Sequence, residues 1–171
     1  MDAANYSVFE TMRNGQQIEI RALRRDDEAG LLAAVGRVST QSLYRRFFAV
    51  RRNFSEKEID YFLNVDFSDH VALVAVAKEA GRLTIVGGAR YIVGQPGSAE
   101  IAFAVLDEYQ GWGIGAMLMR HLVVIAREAG LKQFIADVLP ENTSMLKIFE
   151  RSGLKVSTSR DAEAVHAVLQ L

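Results

Sequence analysis

The segment Gln110-Gly111-Trp112-Gly113-Ile114-Gly115 lies between an apolar run, Ala99 to Leu106, and a second one that opens with Ala116-Met117-Leu118-Met119. A β-rich apolar run, a glycine-rich turn and a helical stripe in succession predict strand, turn and helix, which places the chain among mixed α/β folds. The first N–H groups of such a helix have no partner of their own, and the helix dipole makes that end favourable for anions. Gly113 and Gly115 lack a Cβ, so a ligand oxygen can approach the backbone, and Gln110 offers a side-chain amide beside them. The turn is therefore read as a loop for a phosphorylated cofactor.

Glycine spacing alone leaves several readings open. A Walker-type loop requires Gly-Lys-Ser/Thr at its end, and this segment has none. Gly111 to Ala116 does fit G-x-G-x-x-A, with Asp137 on the order of 20 residues further on, as in a dinucleotide fold. Against that, Leu106 to Gln110 separates the turn from its strand, and too little chain follows Val138 for the remaining βαβ units. An ordinary glycine-rich turn is the third reading.

The chain has 171 residues, 50% of them hydrophobic, enough to bury a core without staples as one domain over residues 1–171. The absence of cysteine excludes disulfides, thiolate metal sites and a cysteine nucleophile. Residues 1–16 are expected to be a short N-terminal extension with neither a basic nor an apolar leader pattern, and no uncharged run reaches the length of a membrane span. The expected location is the cytoplasm. Twenty basic and 21 acidic residues give no net charge to draw the chain onto nucleic acid or membrane. His70, His121 and His166 are too scattered for a metal site, so none is expected.

Periodicity supplies the rest. Gln17 to Leu23 alternates as a strand, and Asp26 to Val35 carries a helical stripe. Ser42 to Phe48 and Ser55 to Leu63 read as two more helices, the second with a Ser55/Glu58 capping box. Val71 to Ala77, Leu83 to Val93 and Ala99 to Leu106 suggest an antiparallel meander. A helix from about Gly113 to Ala129, a strand over Gln133 to Val138, a helix from Thr143 to Arg151 capped by Asn142, and strands near Leu154 to Ser159 and Val165 to Leu171 complete the chain.

This order of elements, the Gln110-x-x-Gly113-x-Gly115 turn after a central strand, and the Pro140-Glu141-Asn142 to Gly153-Leu154 segment resemble the GNAT superfamily of acyl-CoA-dependent N-acetyltransferases. Within it, Ser42-Leu43-Tyr44-Arg45-Arg46-Phe47-Phe48, Asp66, His70 and Ala99-Glu100-Ile101-Ala102-Phe103 are similar to bacterial protein lysine acetyltransferases that modify acyl-CoA synthetases. The resemblance implies an α/β (α+β) fold, with a mixed, mostly antiparallel sheet of six to seven strands, about four to five helices and splayed central strands. It implies acetyl-CoA as acyl donor. Phe103 and Val105 would then offer backbone groups to the pantetheine arm, with an N–H near Val105 polarising the thioester carbonyl. Gln110, Gly111, Trp112, Gly113, Ile114, Gly115 and Ala116 would hold the pyrophosphate. Asn142 matches an asparagine that contacts the pantetheine, although a plain helix cap explains it equally.

An amine acceptor must lose its proton. At pH 7 the neutral form of a lysine with a pKa of about 10.4 costs roughly 4.6 kcal/mol to populate, and a positioned base lowers that barrier. Glu100 interrupts an apolar run and matches the catalytic glutamate of protein-acetylating members; enclosed by apolar neighbours, its carboxyl would be pushed upward toward neutrality. The alternative is an exposed charge that opens the strand. Many members carry a tyrosine that protonates the leaving thiolate, where this chain has Phe149. Tyr109, Tyr91 and Ser144 are the nearest substitutes, and a thiol pKa of about 8.5 lets the thiolate leave without help. Arg45, Arg46, Arg51 and Arg52 either attract an acidic protein face or form a solvated helix edge.

The expected activity is acetyl transfer to a lysine of a protein such as an AMP-forming acyl-CoA synthetase, by direct attack in a ternary complex, by a monomer or homodimer. A small-amine or antibiotic acetyltransferase and a non-catalytic acyl-CoA sensor are the alternatives.

Overall fold

The computed structural model describes residues 1–38 and 54–171. Among them are eight strands: β1 (Ser7–Thr11), β2 (Gln17–Ala22), β3 (His70–Glu79), β4 (Arg82–Gln95), β5 (Ser98–Val105), β6 (Gln133–Val138), β7 (Lys155–Arg160) and β8 (Val165–Gln170). They form one sheet in the order β1-β2-β3-β4-β5-β6-β8-β7. Four α-helices flank it: α1 (Glu28–Arg37), α2 (Glu56–Leu63), α3 (Ile114–Glu128) and α4 (Thr143–Glu150). The mixed, mostly antiparallel sheet is as expected, with eight strands where six to seven were anticipated. The additional strand is β1, from the segment expected to be an extension; it pairs with β2 from Ser7–Arg21 to Thr11–Gln17. The helix expected over Ser42 to Phe48 and the arginines at 45, 46, 51 and 52 lie outside the described residues.

Local chemistry accounts for the element ends. Ser55 Oγ accepts from the Glu58 N–H, and the Glu58 carboxylate accepts from the Ser55 N–H, which closes the capping box of α2. Between β3 and β4 the turn runs through Ala80 and Gly81 at φ +47° and +81°, the primed geometry that suits strand twist. Pro96-Gly97 turns β4 into β5, and the Gly97 carbonyl also accepts from the N–H groups of Lys132 and Gln133 at 2.8 and 3.1 Å. The start of β6 is thereby fastened to the start of β5.

That fastening sits at one end only. β5 and β6, the one parallel pair, match through Ser98–Gln133, Ala99–Phe134 and Glu100–Ile135, and then part. The splay of the central strands is as expected. On the far side of β5, the shift between Ala75/Gly87 and Val76/Ile85 leaves Val86 bulged, and bulges add local twist.

The sheet is buried on both faces. Leu73, Tyr91, Ile101, Phe103 and Phe134 meet Leu118, Leu122 and Phe149 beneath α3 and α4, while Ala72, Val74, Val76 and Ile85 meet Leu31, Ile59 and Leu63 beneath α1 and α2. Arg21 and Asp27 form a buried bidentate pair at 2.8 Å for both bonds, which fixes the entry to α1.

Candidate active site

The gap between β5 and β6 opens into a cleft of about 880 Å³. The Leu106 N–H donates to the Val86 carbonyl of β4 at 2.9 Å, so its backbone faces away from the gap. Alternation along the strand then turns the backbone groups of Phe103 and Val105 toward the opening, where pairing with β6 has ended. Both residues line the cleft, as do Glu100, Gln110, Gly113 and Asn142.

The glycine loop closes one end. Gly111 and Gly113 have φ of +85° and +92°, a region open to glycine and costly for other residues, and Gly113 caps α3. The N-terminal N–H groups of α3 therefore point into the cleft beside Ala116, which is exposed there. Ile114 is buried, with its side chain in the core. Three residues of this loop have contacts that the sequence does not report. The Gln110 amide donates to the Val105 carbonyl and to Asp107 Oδ1, each at 3.2 Å. Trp112 is not among the residues that line the cleft, and its indole N–H donates to the Glu108 carbonyl at 3.1 Å. Gly115 is small for packing, because a Cβ there would lie 2.5 Å from Ile148 Cδ1 of α4.

Asn142 caps α4 through Oδ1, which accepts from the Met145 N–H at 3.3 Å. Its amide NH2 has no hydrogen-bond partner among the described residues, so capping and a cleft contact are compatible. Glu100 stands in the last paired row of the fork, beside Ile92 and Ile135, and forms no hydrogen bond or ion pair among the described residues. Its side chain is exposed and not enclosed by apolar groups as expected. The reason is strand alternation: Ala99 and Ile101, its apolar neighbours in sequence, point to the opposite face and are buried.

The candidate proton donors separate clearly. Phe149 is buried and has no proton to give. Tyr91 is buried in the core, and burial pushes its hydroxyl up to about 12. Tyr109 lines the cleft, but its hydroxyl donates to Glu79 Oε1 at 2.6 Å, and burial with that carboxylate pushes it up to about 12. Ser144 is exposed on the cleft wall.

Several side-chain groupings in and beside the cleft were not foreseen from the sequence. His70, Arg90 and Glu100 share one face of the sheet; Arg90 Nη1 donates to His70 Nε2 at 2.9 Å and to the Phe62 carbonyl. Burial and then the Arg90 charge hold His70 below its ordinary pKa. At the other mouth, His166 bridges Asp161 and Asp137 at 2.6 and 2.5 Å, and the two carboxylates raise its pKa. Arg13, from the β1–β2 turn, lies against the glycine loop. Apart from Asp161 and His166, the partners in these groups lie far apart in sequence, and no spacing pattern in a single chain marks them. His121, expected to be structural, joins Tyr6 and Glu10 at 2.6 Å each and ties the N-terminal strand to α3. Among the described residues, no group of three histidine or acidic side chains could hold a metal ion, and no helix is long and apolar enough to cross a membrane.

Residues 37–154, which include the fork and the glycine-capped helix, match a family model, the acetyltransferase (GNAT) family. The chain belongs to that family. Among relatives of the GNAT fold, Acetyltransferase Pat of Mycolicibacterium smegmatis is 36% identical over 83% of this chain, which spans 42% of that protein's length. An acetyltransferase of Pseudomonas aeruginosa is 32% identical over 80% of this chain and 74% of its own. The crystal structure of the GNAT domain of S. lividans PAT superposes with a TM-score of 0.86 at 32% identity, covering 96% of this chain and 97% of that one. The recognition of a GNAT chain of the Pat type agrees with these findings.

Proposed function

We propose that this protein is an acetyl-CoA-dependent N-acetyltransferase that acetylates a lysine side chain of a protein, such as an AMP-forming acyl-CoA synthetase. The observation that carries the reading is the fork itself, with an unpaired carboxylate, Glu100, at its root and a helix N-terminus at its open end. The backbone edge at Phe103 and Val105 suits an extended pantetheine arm laid along β5, and the α3 N-terminus suits its diphosphate. The Val105 N–H is the donor available to polarise the thioester carbonyl.

In this reading the lysine ammonium gives a proton to Glu100, and the freed amine attacks the thioester carbon. The carbon–nitrogen bond forms, the carbon–sulfur bond breaks, the attacking nitrogen releases its second proton to solvent as the amide forms, and coenzyme A leaves as a thiolate. With a thiol pKa of about 8.5, that thiolate departs without a dedicated acid, in keeping with Phe149 in the tyrosine's place. The likeness to the S. lividans PAT domain supports a protein acceptor.

The test is thiol release from acetyl-CoA with purified AMP-forming acyl-CoA synthetases, followed by mass mapping of the acceptor. A lysine modified only when this protein is present is the expected result. Faster turnover of polyamines or aminoglycosides than of any protein would overturn the protein-acceptor reading.

A further inference from the structure

The glycine loop lacks a cation of its own. From Gln110 to Met119 there is no lysine or arginine, and the next residue, Arg120, is bonded to Glu10 at 2.6 Å on the outer side of α3. A diphosphate at the α3 N-terminus would meet backbone N–H groups and a dipole worth only about half an elementary charge. The β1–β2 turn brings a guanidinium to this place. The Arg13 N–H donates to the Trp112 carbonyl at 3.3 Å, and Arg13 Nη1 donates to the Gly111 carbonyl at 3.1 Å. Its Nε lies 3.8 Å from where a Cβ of Gly113 would stand, and the residue lines the cleft.

Two further observations bear on Arg13. It is not held by a carboxylate: it forms no ion pair among the described residues, whereas Arg21, Arg25, Arg37 and Arg120 each do. The turn that carries it is also held in shape. Met12 is buried and its N–H donates to the Gln16 carbonyl at 2.8 Å, the Gly15 N–H donates to the Met12 carbonyl, and Asn14 Oδ1 accepts from the Gln16 N–H. One guanidinium N–H holds the loop, and the others remain for a phosphate oxygen, which a guanidinium fork fits well.

We propose that Arg13, supplied by the N-terminal β-hairpin, is the cation that binds the diphosphate of the acyl donor over the glycine loop. This rests on the acetyl-CoA reading of the cleft. The hairpin is then part of the donor site and not only an added sheet edge.

Calorimetric binding to the full chain tests it with three probes: acetyl-CoA, its 3′-dephospho analogue, and S-acetylpantetheine, which lacks the diphosphate. Arg13→Gln should weaken the first two equally, by about tenfold or more, as expected for the loss of a charge-assisted contact, and leave the third unchanged. Arg13→Lys should fall between, since it keeps the charge and loses the fork. An equal loss for S-acetylpantetheine would make Arg13 a mere latch for the loop. A loss confined to acetyl-CoA would assign it to the 3′-phosphate. Unchanged binding of all three would remove it from the site. Either of the last two results, or the latch, overturns the proposal. Failure of the unaltered protein to bind acetyl-CoA would instead overturn the donor reading itself.

Discussion

Gly115 of α3 and Ile148 of α4 approach so closely that a Cβ on the glycine would lie 2.5 Å from Ile148 Cδ1. This contact sets the distance between the helix that ends the glycine loop and the helix that begins at Asn142. Alanine has the better helix propensity by about 0.5–1 kcal/mol, while overpacking of this kind costs about 1–3 kcal/mol. Gly115→Ala should therefore lower the melting temperature. Adding Ile148→Val, which removes the clashing methyl, should restore most of the loss; no recovery would mean that the contact is not what limits the site.

The Arg21–Asp27 pair gives a second prediction. Burial alone would raise the Asp27 carboxyl, but the Arg21 guanidinium and the Arg24 N–H outweigh it and hold the group below its ordinary value. Asp27→Asn should cost about 3–5 kcal/mol in denaturant unfolding, because it leaves a buried guanidinium uncompensated. Replacing both, Arg21→Met with Asp27→Leu, should cost much less. A single variant as stable as the parent would contradict this account.

His70 and His166 titrate in opposite senses. His166, raised by Asp161 and Asp137, contributes stability that is complete below its unfolded pKa of about 6.5 and is lost as pH rises through the higher folded value. His70, lowered by burial and Arg90, contributes stability present above about pH 6.5 and lost as pH falls through the lower folded value. Since His166 is exposed, its share is small. NMR titration of the ring protons should show His166 protonated at a pH where His70 is neutral, and the reverse order would refute both assignments.

Tyr109 serves as a brace for the loop before the glycines. Arg37 binds Glu79 through two N–H groups at 2.8 and 3.0 Å, and the Tyr109 hydroxyl completes that carboxylate's shell. Tyr109→Phe should cost about 1 kcal/mol of stability. It should leave kcat within about twofold, whereas the loss of a general acid would lower it by about 10²–10⁴-fold.

Much of this was legible in the chain, for identifiable reasons. Ser55 with Glu58 marked a helix start, and Asn142 marked another, because capping is local chemistry between residues three apart. Gly111 and Gly113 marked the loop because they carry positive φ. The packing at Gly115 and the exposure of Glu100 could not be read from their sequence neighbours. Gly115 is explained by Ile148 on another helix, and Glu100 by alternation that turns Ala99 and Ile101 to the other face. β1 is a short edge strand whose pairing with β2 decides its existence. Arg13 reaches Gly111 across 98 residues, which no periodicity reports.

The most direct test of the account is the kcat of Glu100→Gln at saturating acetyl-CoA and acceptor protein, measured together with its affinity for acetyl-CoA. The account predicts a fall in kcat of about 10²-fold or more with affinity unchanged, since the carboxylate acts on the acceptor amine and not on the donor. An unchanged kcat would remove Glu100 from the chemistry and contradict the account.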